Sequence, residues 1–256
     1  MKPPLKWAGG KRWQLPYLQR IWDKHTNHRL VEPFCGGMAI ALGLNPRQVL
    51  ANDINSHLIN FYRWLKKGLR CHIEMRNEKT LFYEHRDRFN SLIRTKKIHT
   101  REAASLFYYL NRTGYNGLCR FNKTGQFNVP FGRYKTITYA NDFLDYRRIL
   151  KRWDFLNEDF TDLELHESDF VYADPPYDVD FTTYATGGFS WEDQIRTAEC
   201  FAVHKGPVIL VNQSTPRIKT LYRDLGFTLQ FVDAPRRISA TGDRTPSREV
   251  IAYRNL

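Results

Sequence analysis

Short unbroken apolar runs alternate along this chain with longer stretches whose apolar residues recur at helical spacing. The runs around Leu30-Val31, Gln48–Ile54, Phe170-Val171-Tyr172-Ala173 and Pro207–Asn212 have strand length and predict buried strands. Between them, residues 13–24 carry Leu15, Leu18, Ile21 and Trp22 on one helical face, with Pro16 in the first turn. His57–Lys67, 78–95, 101–112, 141–152, 191–205 and 215–225 also read as helices. Ser190 and Asp193 form a near-capping box at the start of 191–205. Two strands, 227–233 and 249–254, close the chain. Strands alternating with helices predict an α/β fold built on a wound sheet.

Two of these strands end in residues that carry chemistry. Leu30 to Leu42 reads as strand, glycine turn and helix, and Asp53 stands at the tip of the next strand, 17 residues after Gly36. That is the nucleotide-binding half of a doubly wound fold, in which the acid accepts hydrogen bonds from ribose hydroxyls. The turn is not a full G-x-G-x-x-G, so a single adenosyl group fits better than a dinucleotide. Glu32 adds a carboxylate suited to a cationic amine. Asp53 has an alternative reading, as a cap for the helix beginning near Asn55. The other strand ends at Asp174-Pro175-Pro176-Tyr177. Two prolines cannot continue a ladder, so the chain leaves the sheet there with an acid and an aromatic ring at the strand's carboxyl end, the edge where open α/β sheets bind ligands.

Composition changes the picture in one direction. Thirty-nine Lys and Arg oppose 27 Asp and Glu across 256 residues, a net charge of +12, which favours a polyanionic partner over simple solubility. Cys35, Cys71, Cys119 and Cys200 are scattered with no Cys-x-x-Cys pair. Neither a metal centre nor a disulfide framework is indicated, and free thiols suit a reducing cytoplasm. No apolar segment approaches membrane-spanning length, the N-terminus lacks an apolar signal core, and no obligate protein partner is evident.

Two polar segments stand apart. Residues 5–12 hold Gly9 and Gly10 among Lys6, Lys11 and Arg12, a backbone able to approach a ligand or to form an ordinary turn. Residues 111–135 interleave Arg, Asn, Lys and aromatics with glycines, with Lys123–Gln126 as a hairpin turn. That composition suits base reading, with Tyr115 and Leu118 as wedges; the plainer alternative is a hairpin over a core edge. The basic stretch 236–248 is expected to meet phosphates or to be a solvated linker.

Taken in order, Lys6–Lys11, Val31–Gly37, Ala51–Asn55, Asn111–Arg120, Phe127–Tyr134 and Asp174–Tyr177 resemble the DNA adenine methyltransferase (Dam) family over most of the chain. The resemblance implies a Rossmann-like S-adenosylmethionine-dependent methyltransferase sheet with a smaller, mainly helical recognition domain carrying a β-hairpin. It implies residues 1–55 and 141–256 as the catalytic part and 56–140 as the target-recognition part, with the hairpin at 113–135. It further implies S-adenosyl-L-methionine as methyl donor, without a metal, and N6 of adenine in double-stranded DNA as acceptor, with GATC as the expected target, in the cytoplasm of a bacterium or of a phage-infected cell.

By the same resemblance, Trp7, Ala8, Gly9, Lys11, Glu32, Phe34, Gly36, Asp53, Asp159, Phe160 and Asp174 form the cofactor site. Lys6, Arg112, Tyr115, Asn116, Leu118, Arg120, Pro130 and Arg133 face DNA. One departure is Phe34-Cys35-Gly36-Gly37-Met38, where many members have Phe-x-Gly-x-Gly. On chemical grounds the exocyclic amine is a poor nucleophile and the sulfonium methyl a strong electrophile, so catalysis rests on positioning and charge. Asp174 and the Pro175 carbonyl are expected to accept from the amino group and Tyr177 to stack on a flipped base. An RNA amino methyltransferase, a non-catalytic DNA binder on the same scaffold, and an enzyme with another tetranucleotide target remain alternatives.

Overall fold

A computed structural model of the chain describes residues 1–178, 188–234 and 247–256. Among the described residues, β1 (Leu30–Glu32), β2 (Val49–Asn52), β3 (Trp153–Leu156), β4 (Phe170–Ala173), β5 (Val208–Gln213), β6 (Thr228–Ala234) and β7 (Ser247–Arg254) form a seven-stranded sheet. The order is β3-β2-β1-β4-β5-β7-β6. The first five strands in that order are parallel, and β7 runs antiparallel between β5 and β6. The chain builds outward from β1 to β3 and then returns to lay β4 against the other side of β1, with Leu30 opposite Phe170. Strand order therefore reverses between β1 and β4, which opens a crevice at their carboxyl ends.

The unbroken apolar runs are explained by helices on both faces. On one face Ile209, Val211, Phe155 and Tyr172 pack with Phe61, Tyr62 and Phe107; on the other Val208, Leu210, Val171 and Ala173 pack with Phe201, Ile218 and Tyr222. Each strand sends alternate residues to opposite layers, so every position of β1, β2 and β4 is buried, while the edge strands β3 and β6 keep exposed residues. The first layer is made by α1 (Leu15–Trp22), α2 (Ala39–Leu44), α3 (Ser56–Lys66), α4 (Lys79–Arg94), α5 (Arg101–Thr113) and α6 (Leu144–Leu150), and the second by α7 (Trp191–Ala202) and α8 (Pro216–Asp224).

Local chemistry sets the helix ends. Ser190 and Asp193 form the complete capping box expected of α7. A 3-10 turn over Arg12–Gln14 precedes α1, and Pro16 lies in the first turn of α1. The predicted helices 13–24, 141–152 and 191–205 are each shorter in the structure at one or both ends. The cap of α3 is Asn55, whose Oδ1 accepts from the N–H groups of His57 and Leu58; Asp53 is not the cap. Helix α3 is fastened to the sheet edge by Arg63 and Lys66, which donate to the carbonyls of Phe155 at 2.8 Å and Trp153 at 2.6 Å.

The hairpin after α5 is held by isolated bridges, Gly114 to Phe131 and Phe121 to Phe127, around a turn in which Asn122 N–H donates to Gln126 O. Asn90 of α4 pins it by pairing both ways with the backbone of Phe127. Residues 236–246 of the basic stretch lie outside the described residues. No described helix is long and apolar enough to cross a membrane.

Candidate active site

At the end of β1 the chain turns sharply under the indole of Trp7. Gly36 has φ +43°, and a Cβ there would lie 2.6 Å from Trp7 Nε1; one on Gly37 would lie 2.9 Å from Trp7 Cβ. Both glycines are therefore required for the tryptophan to lie flat on the turn. Met38, where the family pattern places its second glycine, adopts φ +51° and is fully buried. The backbone thus keeps the left-handed residue while the side chain joins the core, at a cost of about 1–2 kcal/mol in backbone conformation.

Asp53 ties this turn to β2. Its Oδ2 accepts from Gly36 N–H at 3.0 Å and its Oδ1 from Asn55 N–H at 2.9 Å. Burial raises its pKa and those two donors oppose the rise. The Tyr62 hydroxyl donates to Gly36 O at 2.7 Å from beneath. Glu32 is buried, with Oε1 accepting from Ala41 N–H at 2.8 Å and Oε2 without a partner. Burial pushes its pKa to about 8, aided by the charge of Asp174. A buried, half-satisfied carboxylate beside a glycine cradle suits a ligand carrying a positive charge.

The outer wall is aromatic. Phe34 lies 5.1 Å from Phe160 and 5.8 Å from Phe189, centroid to centroid. Asn52 joins the two loops here, donating to the carbonyls of Pro33 and Glu158. Asp159, expected at the cofactor, uses Oδ1 to bind Thr161 N–H at 3.0 Å and Arg196 at 2.9 Å. Ala8 is half-buried and Gly9 exposed; Gly9 presents its carbonyl to Lys11 Nζ at 2.5 Å.

Lys11 leads to the second half of the site. Its Nζ lies 2.9 Å from Asp174 Oδ2 and 4.6 Å from the centre of the Tyr177 ring. Asp174 Oδ1 is buried and unpartnered. The Tyr177 hydroxyl is near enough to favour the ionised form of Asp174 but makes no hydrogen bond of normal geometry with it. Burial raises the Asp174 pKa, and Lys11 counters that rise by charge and hydrogen bond. The loop is braced from behind, with Gln194 donating to Pro176 O at 2.7 Å and Asp178 N–H donating to Asn212 Oδ1 at 3.1 Å. Pro175 is buried in this loop.

The third group of expected residues borders the crevice from α5 and the hairpin. Tyr115 is 46% exposed, the largest aromatic left open in this region. Leu118 and Asn116 are half-buried, and Arg120, Pro130 and Arg133 are exposed. Asn116 has φ +51° and Arg133 φ +51°, so both mark tight turns. Arg120 Nε donates to Asn128 Oδ1 at 2.8 Å, which aims its guanidinium. Lys6 Nζ sits 3.6 Å over the Tyr134 ring and donates to Arg112 O at 3.0 Å. Burial and the nearby Arg112 lower the Lys6 pKa to about 8. The guanidinium of Arg112 instead donates twice to Thr138 O.

Trp7, Glu32, Gly36, Asp53 and Asp174 thus gather in the crevice between β1 and β4. Sequence reasoning missed Asn55, Asn111, Asn128, Gln194 and Asn212. Each is a buried or half-buried amide serving a distant backbone or side chain, and only the caps and turns among such roles leave a local signal. Among the described residues no group of three or more His, Cys, Asp or Glu is placed to hold a metal ion.

Comparison with known proteins agrees with this geometry. Residues 7–238 match the model of the D12 class N6 adenine-specific DNA methyltransferases. The type II methyltransferase M1.LlaDCHI of Lactococcus lactis subsp. cremoris is 36% identical, over 97% of this chain and 92% of its own length. The retron Ec67 DNA adenine methylase of Escherichia coli is 35% identical, over 98% and 91%. A DNA adenine methylase of Vibrio cholerae is 35% identical, over 93% and 90%. With a doubly wound sheet, a glycine cradle under Trp7 and an Asp-Pro-Pro-Tyr loop at its switch point, the chain belongs to the D12 class of N6 adenine-specific DNA methyltransferases.

Proposed function

We propose that this enzyme takes a methyl group from S-adenosyl-L-methionine and places it on N6 of an adenine flipped out of duplex DNA, with GATC as the target. The observation that carries the reading is the pair of unsatisfied buried acceptors, Glu32 Oε2 and Asp174 Oδ1, at the carboxyl ends of adjacent strands. One suits a cation and the other an amino group. When bound, S-adenosylmethionine supplies an electrophilic methyl and leaves as S-adenosylhomocysteine once the sulfur–carbon bond has broken.

The residues of the chain do the positioning. Trp7, Gly36 and Phe34 offer a flat surface for the adenosyl group, and Asp53 offers its remaining lone pairs to ribose hydroxyls. Ala8, Gly9, Asp159 and Phe160 border that surface. Tyr177 stacks on the flipped base. Asp174 and the Pro175 carbonyl accept the two N–H bonds of the amine, which localises its lone pair and stabilises the positive charge growing on nitrogen. The lone pair forms the new nitrogen–carbon bond, and a proton leaves nitrogen afterwards. Lys11 holds Asp174 ionised through Oδ2 and leaves Oδ1 open to the amino group.

We assign residues 1–55 and 141–256 to catalysis and 56–140 to target recognition, with α3 shared between sheet and reader. Tyr115 and Leu118 act as wedges. Arg120, steadied by Asn128, pairs with a guanine, and Lys6, Asn116, Pro130 and Arg133 face the duplex. Arg112 contributes through its carbonyl, which holds Lys6. Support for GATC comes from the resemblance of the Asn111–Arg120 and Phe127–Tyr134 segments to the family. The enzyme would act where cellular or phage DNA lies, in the cytoplasm.

The test is methyl transfer by the purified protein from labelled S-adenosylmethionine to duplexes with and without GATC, and to matched RNA. Sites are then read by sequencing DNA from a methylation-free host. N6-methyladenine confined to GATC supports the full reading. Another motif replaces the target alone, and methylated RNA with unmodified duplex overturns the substrate.

A further inference from the structure

Two asparagine side chains suspend the segment Gly117-Leu118-Cys119 from the two loops assigned to the methyl donor. Asn111, 2% exposed, stands near the end of α5. Its Oδ1 accepts from Lys6 N–H at 2.8 Å, while its Nδ2 donates to Lys6 O at 2.7 Å and to Gly117 O at 3.2 Å. One side chain thus pairs both ways with residue 6 and also holds residue 117. Gly117 has φ +63°, and a Cβ there would lie 2.3 Å from Lys6 Cβ, so the two strands of backbone touch without slack.

Asn55 makes the corresponding link on the other side. Its N–H donates to Asp53 Oδ1 at 2.9 Å, its Oδ1 caps α3, and its Nδ2 lies 3.5 Å from Cys119 Sγ. Burial pushes the Cys119 pKa up to about 12, so the sulfur remains a neutral thiol able to accept that bond. Leu118 is the single residue between the two attachments.

We propose that Asn111 and Asn55 are positioning residues that fix the Leu118 wedge to the donor pocket, so that donor binding and target recognition reinforce each other. The inference rests on the assignment of the pocket to S-adenosylmethionine and of Leu118 to duplex DNA. Lys6 is followed directly by Trp7, whose indole covers Gly36, and Asp53 holds the N–H of that glycine. A ligand packed on Trp7 and Asp53 orders both loops. Through the two asparagines the wedge is ordered with them, and the entropy lost on ordering is then shared by two ligands instead of charged to each. A purely structural role, satisfying buried backbone groups, would lower stability on mutation without altering that mutual effect.

The experiment is calorimetric titration of the full chain with S-adenosylhomocysteine, alone, with saturating duplex carrying one GATC, and with a scrambled duplex. Wild type is expected to bind about tenfold more tightly with the target duplex and without change on the scrambled one. Asn111→Ala should bind S-adenosylhomocysteine alone about as well as wild type and lose most of the enhancement. Cys119→Ala removes only the Asn55 attachment and decides the matter if Asn111→Ala does not fold; it too should lose much of the enhancement. Enhancement retained in both folded variants, or absent from wild type that binds each ligand, overturns the proposal. Wild type that binds no S-adenosylhomocysteine overturns the assignment of the pocket itself.

Discussion

Lys11 Nζ lies between the Asp174 carboxylate and the Tyr177 ring, 2.9 Å from Oδ2 and 4.6 Å from the ring centre, and leaves Oδ1 without a partner. One cation thus meets both the acceptor and the stacking surface of the site, in an arrangement like that proposed for the target amine.

Removing that cation has a signed consequence for pH dependence. Burial raises the Asp174 pKa and Lys11 lowers it, with Glu32 and the Tyr177 phenol as neighbours. On the proposed mechanism transfer needs the carboxylate, so activity should fall as pH drops through its pKa. In Lys11→Met the acid limb of the kcat–pH profile should move to higher pH, and maximal transfer should fall by roughly tenfold or more. An unshifted limb would mean that another group sets it.

Glu32 makes the free protein sensitive to base. Its folded carboxyl titrates near 8, against an ordinary value of 4.5. A raised folded pKa gives stability that is complete below about 4.5 and lost as pH rises through about 8. Thermal melts should therefore show wild type losing more stability than Glu32→Gln across that window. Added S-adenosylmethionine should narrow the gap, because its positive charge compensates the buried carboxylate.

The turn at Gly36 offers a steric test. An alanine there places Cβ 2.6 Å from Trp7 Nε1 on a backbone with φ +43°. Gly36→Ala should cost about 1–2 kcal/mol in backbone strain alone. It should also displace the indole, seen as altered tryptophan fluorescence, and weaken S-adenosylhomocysteine binding by about tenfold or more.

Arg120 separates base reading from phosphate contact. It is held by Asn128 at 2.8 Å and is proposed to pair bidentately with a guanine. Arg120→Ala should relax discrimination at one base pair by about 1–3 kcal/mol, measured as kcat/KM on singly substituted duplexes. Equal losses on all duplexes would make it a phosphate ligand. Asn128→Ala should show a weaker form of the same pattern.

The sheet and the ends of its strands were legible because their signals are local. Apolar runs bounded by Gly36 or by Pro175-Pro176 place strands, and the capping box at Ser190 places α7. The insertion of β7 between β5 and β6 has no local signal, since either edge order fits the same alternation. The Lys11–Asp174 contact and the clamps of Asn111 and Asn55 join residues far apart in sequence, and the amides look like ordinary cap or turn residues. Met38 shows a different limit: a missing glycine suggests a changed turn, yet the buried side chain stays with the left-handed backbone.

The proposed role of Asp174 is to accept the target amine while other elements hold the duplex. Single-turnover methyl transfer by Asp174→Ala, measured beside its duplex affinity, tests it most directly. Formation of N6-methyladenine should fall by about a thousandfold or more, with duplex binding within about threefold of wild type. Turnover close to wild type by that variant would contradict the account.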